Sequence, residues 1–278
     1  MRLISQSLIK SLNKYINGKQ CGLKLKAQYV DGIEFEPSDA MRLGQWFEYK
    51  CTGQKTKFGH TPVPDRLKPK KLTKAQKEAG LKQEDIVGEL SKKYQDALIQ
   101  VEAFHKMLKA EKLTIISTGT RLKDDEFGIS GDVDIVAQRE GDDKLIFIDT
   151  KYSGLLENKY DDLGWHYDSL EYKHDIMIQS VQYKLLGIQN YGYEPDFYFW
   201  VFSSTNPNAR KSIKVEVSED RFKTHIKDVF QARKIFEQNL KHGFKPYPSP
   251  DGCASCPLKE TCEHFTEVPI VHTVYYGN

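Results

Sequence analysis

Neither sign of charge dominates this sequence: 41 lysines and arginines stand against 39 aspartates and glutamates, a formal net charge of +2 over 278 residues. The balance excludes a polycation that must bind nucleic acid through bulk charge, so any such binding has to come from local patches. Long hydrophobic runs are missing too. The apolar run around Phe197–Phe202 is strand-length, and a mean hydropathy of −0.60 with 29% charged residues excludes an integral membrane protein. The opposite extreme, a disordered chain, is excluded by 39% hydrophobic and 12% aromatic residues. Cysteines are few and odd in number, five, which argues against a secreted disulfide framework, and the first residues lack the apolar stretch of a signal peptide. A reducing cytoplasm is the expected setting, that of a host cell if the chain is phage-encoded. Met1–Ile16 has the makeup of an amphipathic transit peptide, with Arg2, Lys10 and Lys14 among serines and no acid; against that reading, Cys21 just after it reads as structural. There is no internal repeat and no GxxxxGK[ST] phosphate loop, so the chain carries no helicase motor of its own.

What is present has a mixed periodicity. Leu3, Ile4, Leu8, Leu12 and Ile16 predict a first helix ending near Gly18, and a second opens after Pro37, capped by Ser38 or Asp39, and runs through Trp46 and Phe47 toward Gly53. Gln54–Gln83 turns to Lys, Pro, Thr and Gly and reads as a loop or arm. Ile86 to Leu108 keeps helical spacing over several turns. Leu113–Ser117, Gly128–Ala137 and Leu145–Tyr152 are β-branched and turn-bounded, with Gln138–Lys144 as a hairpin connection. A helix over Ile176–Ile188, strands over Asp196–Ser203 and Ser212–Val217 and a helix over Arg221–Leu240 complete a mixed α and β order.

Chemistry concentrates on two of these strands, at Gly131-Asp132-Val133-Asp134 and Asp149-Thr150-Lys151. Side chains alternate along a strand, so Asp149 and Lys151 share one face, and Asp134 on a paired neighbour can lie beside Asp149. Two adjacent carboxylates in a partly buried cleft repel, and a divalent cation relieves that repulsion; a lysine one step on can hold a water or a phosphate oxygen. Asp132 has the same parity as Asp134 and is the competing ligand. The bland alternative is a salt-bridge ladder on an exposed sheet.

These residues resemble the Gly-x-x-Asp and Asp/Glu-x-Lys motifs of the PD-(D/E)xK nuclease superfamily, in particular its RecB-like exonuclease branch. The resemblance implies a restriction-endonuclease-like core, a central mixed sheet flanked by helices, and assigns the metal to Asp134 rather than Asp132. Gly44-Gln45-Trp46-Phe47-Glu48 is similar to the family's early helical motif, which makes Glu48 a hard oxygen ligand for Mg²⁺ or Mn²⁺ alongside Asp134 and Asp149. Gln179 and Tyr183, at i and i+4 on one helix face, match a Gln-x-x-x-Tyr motif whose implied role is to hold the DNA backbone or the catalytic lysine.

Cys253-x-x-Cys256 and Cys262 place three thiols in one short loop, a soft donor set that suits zinc or iron-sulfur. Zinc could recruit His264; a 4Fe-4S cluster would need a fourth, distant cysteine. Resemblance to the iron-sulfur subgroup of RecB-like nucleases, which includes AddB-type helicase-nucleases and CRISPR adaptation nucleases, supplies Cys21 as that ligand. It implies a cysteine-stapled C-terminus, with Gly22 standing where the subgroup often has proline. Cys51 is expected to be a buried free thiol.

One nuclease domain is therefore expected over residues 1–278: a helical N-terminal part with the first cluster ligand (1–36), a core with a basic segment at 54–83 (37–240), and a cluster-binding segment (241–278). Lys55, Lys57, His60, Arg66, Lys68, Lys70, Lys71, Lys74 and Lys77 could track phosphates, or form a solvated loop. Trp165, Tyr167 and Tyr172 could stack on unpaired bases, or simply pack. The expected activity is metal-dependent hydrolysis of DNA, single-stranded or at ends, with no membrane partner. The alternative is a catalytically silent DNA-binding subunit, zinc-stapled or not, of a helicase or recombination complex.

Overall fold

A computed structural model describes residues 3–56, 59–67, 78–80, 82, 88–247, 253 and 256–265. The chain divides into two units, one of residues 37–122 and 131–219, the other of 1–36, 123–130 and 220–278. Thirteen elements are described: β1 (Ile4–Ser5), α1 (Gln6–Ile16), α2 (Gly22–Tyr29), α3 (Asp39–Thr52), α4 (Lys92–Ala110), β2 (Leu113–Asp124), β3 (Ile129–Arg139), β4 (Leu145–Ser153), α5 (Tyr167–Leu170), α6 (His174–Tyr191), β5 (Asp196–Ser203), β6 (Arg210–Lys214) and α7 (Glu219–His242). Among the described residues no helix is long and apolar enough to cross a membrane.

The sheet runs β1-β3-β4-β5-β6, with β2 paired to β3. β3 and β4 are antiparallel with Ile135 opposite Ile148, β4 and β5 are parallel with Asp149 beside Phe199, and β5 and β6 are antiparallel. The parallel β4–β5 pair requires a crossover, which α6 supplies. β4 and β5 sit inside the sheet, so both are apolar with little alternation. One face is packed by α3 and α4: Phe47, Phe104, Ile135, Ile148, Trp200 and Phe202 form a continuous cluster. Helix ends follow local chemistry. Ser38 Oγ accepts from the Met41 N–H at 3.3 Å at the start of α3, and Gly53 closes that helix at φ 75°, a left-handed conformation that costs glycine little.

Several predicted boundaries move. Ile4 and Ser5 pair in parallel with Ile129 and Ser130, so α1 begins only at Gln6, with Ser5 Oγ accepting from the Leu8 N–H. β2 extends to Asp124, well beyond Ser117. The long helix begins at Lys92; Leu90 instead forms a β-bridge with Arg66, and Ile86 lies outside the described residues. β6 spans Arg210–Lys214 rather than Ser212–Val217. Helix α2 was not expected from the sequence.

The cysteine-stapled C-terminus is corrected. All five cysteines are free, and the early and late segments of the second unit are joined by hydrogen bonds instead. The Gly22 N–H donates to the Lys245 carbonyl at 3.1 Å, the Tyr247 N–H to Cys21 Sγ at 3.3 Å, and the Tyr15 hydroxyl to Asn239 Oδ1 at 2.9 Å. This clasp explains the residue after Cys21. Proline has no N–H to donate, and a Cβ on Gly22 would sit 2.4 Å from the Lys245 oxygen, which is backbone and cannot swing aside. Gly22→Ala should therefore lower stability by about 1–3 kcal/mol, read as a shift of the denaturant midpoint at constant m-value. An unchanged midpoint would show that the clasp is not under constraint.

Candidate active site

The alternation expected of β4 holds. Ile148 faces the cluster under α3 and α4, while Asp149 faces α6 and is only 1% exposed. One Asp149 oxygen accepts a short hydrogen bond from Gln179 Nε2, and the other pairs with the Lys151 ammonium, whose side chain is 34% exposed. Continuing the register from Ile135 and Ile148 by one step places Asp134 across from Asp149. Asp134 Oδ2 accepts from the Thr150 N–H at 3.2 Å, which fixes its carboxylate against β4. Glu48, partly buried on α3, feels the charges of Asp149 and Lys151. The structure places Glu48, Asp134, Asp149, Lys151, Gln179 and Tyr183 at one locus.

Three carboxylates around one ammonium leave an excess of negative charge. Burial pushes the Asp134 carboxyl well above its usual range, and Asp149 and Glu48 push it further; Lys151 and the Thr150 N–H oppose them. Burial raises Glu48 as well, with Lys151 opposing and Asp149 adding to the shift. Burial works against the charge on Lys151, but Asp149, Asp134 and Glu48 outweigh it and hold the ammonium protonated above its ordinary value.

The implied role of Gln179 and Tyr183 is sharpened by their contacts. Gln179 grips Asp149, and the Tyr183 hydroxyl donates to the Asp132 carbonyl at 2.6 Å. Burial, then Asp134 and Asp149, raise the phenol well above its usual value, so it stays a donor. Both side chains therefore hold the strands that carry the acids. Gly131 belongs to the same device: a Cβ there would meet Tyr183 Cε1 at 2.4 Å, so only glycine lets the ring close on β3. The Asp132 side chain turns elsewhere, pairing with Arg121 at 2.8 Å. Neither the Thr150 N–H on Asp134 nor the Arg121 pair was anticipated; an arginine in an extended, turn-poor run after Ser117 was the available signal.

The aromatics divide. Trp165 is buried against Phe199, ring centroids 5.1 Å apart, and is a packing residue; Tyr167 and Tyr172 are exposed. Of the basic segment, Lys57, Lys68, Lys70, Lys71, Lys74 and Lys77 lie outside the described residues.

Among the described residues, no group of three or more Cys, His, Asp or Glu side chains stands in an arrangement that could hold a metal ion. This overturns the iron-sulfur expectation and its zinc variant. Cys21, Cys253, Cys256 and Cys262 line a cavity of about 290 Å³ together with His264, without forming a ligand set, and the Cys21 sulfur is engaged as an acceptor by Tyr247. At the carboxylates the donor chemistry differs. Glu48, Asp134 and Asp149 do not stand as a ligand set either, since both Asp149 oxygens are taken by Lys151 and Gln179, but they are hard oxygens with surplus negative charge, a donor chemistry that suits a divalent cation once Asp149 is released.

A family model described as the PD-(D/E)XK nuclease superfamily matches residues 11–263. No curated protein matches the chain. Among solved structures, a candidate exonuclease from Eubacterium rectale is 15% identical and superposes with a TM-score of 0.60 over 97% of this chain and 91% of that one, which supports the mixed α/β, restriction-endonuclease-like core. The match stops at the superfamily. The RecB-like branch, expected from the Gly-x-x-Asp, Asp-x-Lys and Gln-x-x-x-Tyr motifs, finds no support beyond the superfamily, and its iron-sulfur subgroup, expected from four cysteines, is overturned because those cysteines form no ligand set among the described residues. The chain belongs to the PD-(D/E)XK nuclease superfamily.

Proposed function

We propose that this protein is a Mg²⁺- or Mn²⁺-dependent deoxyribonuclease acting on DNA ends or single strands. One observation carries the reading: Asp134 and Asp149 face each other across β3 and β4 with the Lys151 ammonium on Asp149, and the charge of Glu48 on α3 bears on the same group, in a chain of this superfamily. Glu48, Asp134 and Asp149 would hold the cation, which when bound supplies a water of lowered pKa and takes up charge on the phosphoryl oxygens. Gln179 orients Asp149, and Tyr183 holds β3 at Asp132, so the acids are fixed before substrate arrives. Lys151 stays charged and therefore acts as a hydrogen-bond donor toward the attacking water or a phosphoryl oxygen. The name of the Eubacterium rectale protein favours attack at ends. Any unwinding of duplex would come from a separate helicase or recombination protein, since the sequence holds no phosphate loop for ATP.

The test is digestion of DNA labelled at either end, single- and double-stranded, in Mg²⁺, Mn²⁺ or chelator. Release of short labelled products with either cation, abolished by chelator, is expected; intact substrate under every condition would defeat the reading.

A further inference from the structure

Burial alternates along β3. Val133 and Ile135 are buried in the core, whereas Asp132 is exposed and Asp134 partly so, and these two open on the same side of the strand. Asp132 lies two residues from Asp134, roughly 7 Å along an extended chain. Its carboxylate is met at 2.8 Å by Nη1 of Arg121 from β2, and the two side chains are 46% and 49% exposed. An ion pair this open to water is weak, so it is easily exchanged for a better partner. Phosphate is such a partner, because the planar guanidinium can engage two of its oxygens at once.

The ground beside Arg121 is built from the segment that follows α3. Gly119 adopts φ +59°, and a Cβ there would lie 2.6 Å from Gln54 Nε2, so the Gln54 side chain rests on β2 two residues before Arg121. Lys55 comes next, and Thr56 and His60 are joined by hydrogen bonds from the Thr56 N–H to the His60 carbonyl and from the His60 N–H to Thr56 Oγ1. The α3 helix that supplies Glu48 thus leads into Gln54, whose side chain lies on β2, and then into the basic Lys55.

We propose that Arg121 holds a phosphate of the nucleic-acid strand neighbouring the one that is cut, with Asp132 as its stand-in partner when no strand is bound. This rests on the nuclease reading and names a positioning residue for it. Arg121 does not touch the reacting atoms; it sets where the strand lies across β2 and β3.

The experiment measures binding of a fluorescein-labelled single-stranded oligodeoxynucleotide by anisotropy in Ca²⁺ over a salt series, and cleavage kinetics in Mg²⁺, for wild type, Arg121→Ala, Arg121→Lys and Asp132→Asn. Arg121→Ala should weaken binding about tenfold and reduce the slope of log K against log salt by about one, with the loss in KM rather than kcat. Arg121→Lys should restore the slope and only part of the affinity, which separates loss of charge from loss of fold. Asp132→Asn should tighten binding by roughly twofold. Wild-type affinity and slope in Arg121→Ala, or weaker binding in Asp132→Asn, would overturn the proposal while leaving the nuclease reading intact. A wild-type protein that binds without cleaving removes the nuclease reading and leaves the Arg121 result standing; one that does neither, with DNA or RNA, removes both.

Discussion

Lys151→Met should reduce cleavage by about 10²–10³-fold, the loss found when one preorganised donor is taken from developing negative charge. The side chain keeps its volume and loses only the ammonium that Asp149, Asp134 and Glu48 hold protonated. Single-turnover cleavage at saturating DNA isolates the chemical step from binding, and Ca²⁺-supported binding should stay within a few-fold of wild type. Arginine should not rescue, because a planar fork cannot take the place of a compact point charge two residues from Asp149 on the same strand face. Methionine at this position with cleavage within threefold of wild type would remove Lys151 from the chemistry. The variant also strips three carboxylates of their counter-charge, so added Mg²⁺ should raise its thermal midpoint by more than it raises that of wild type.

Asp134→Asn should abolish cleavage, by about 10³-fold or more, and at the same time stabilise the metal-free protein. The wild-type carboxyl is raised by burial and by its acidic neighbours, so its charged form is worse accommodated in the folded chain than in the unfolded one. Such a group leaves stability intact below its unfolded pKa and takes stability away as pH rises through the folded one. Asparagine can keep the hydrogen bond from the Thr150 N–H and carries no charge over that window. The gain should be negligible in acid and reach a plateau of about 1 kcal/mol, roughly 2–4 °C in Tm, once the wild-type carboxyl is ionised. Scanning calorimetry in chelator across pH checks it; a variant less stable than wild type at neutral pH would mean that the carboxylate is not strained.

How far the sequence could be read depended on whether a property is local. Asp149 and Lys151 on one face, and Asp134 beside them, follow from the two-residue period of a strand and a short hairpin, and both were legible. Parity could not tell Asp132 from Asp134, and only the resemblance favoured Asp134; that Asp132 pairs with Arg121 while Asp134 accepts from the Thr150 N–H depends in each case on a neighbouring strand. Gln179 and Tyr183 could be placed on one helix face, but that they grip Asp149 and the Asp132 carbonyl depends on how that helix lies against the sheet. The cysteines failed for the same reason at longer range. Spacing shows that three thiols are near in sequence, yet says nothing of whether they close with a fourth into a ligand set: they line one cavity with Cys21 without forming one, and Tyr247 meets Cys21 across 226 residues through a hydrogen bond.

The division of the chain bears on how it is synthesised. The unit of residues 37–122 and 131–219 holds Glu48, Asp134, Asp149, Lys151, Gln179 and Tyr183, whereas the other is assembled from three separated stretches. A nascent chain emerging from the ribosome can thus complete the acids and their supports before Asn239, Lys245 and Tyr247 have left the exit tunnel. Until those residues arrive, Tyr15 and Gly22 have no partners from the late segment, and the early helices wait for residues made more than two hundred positions later.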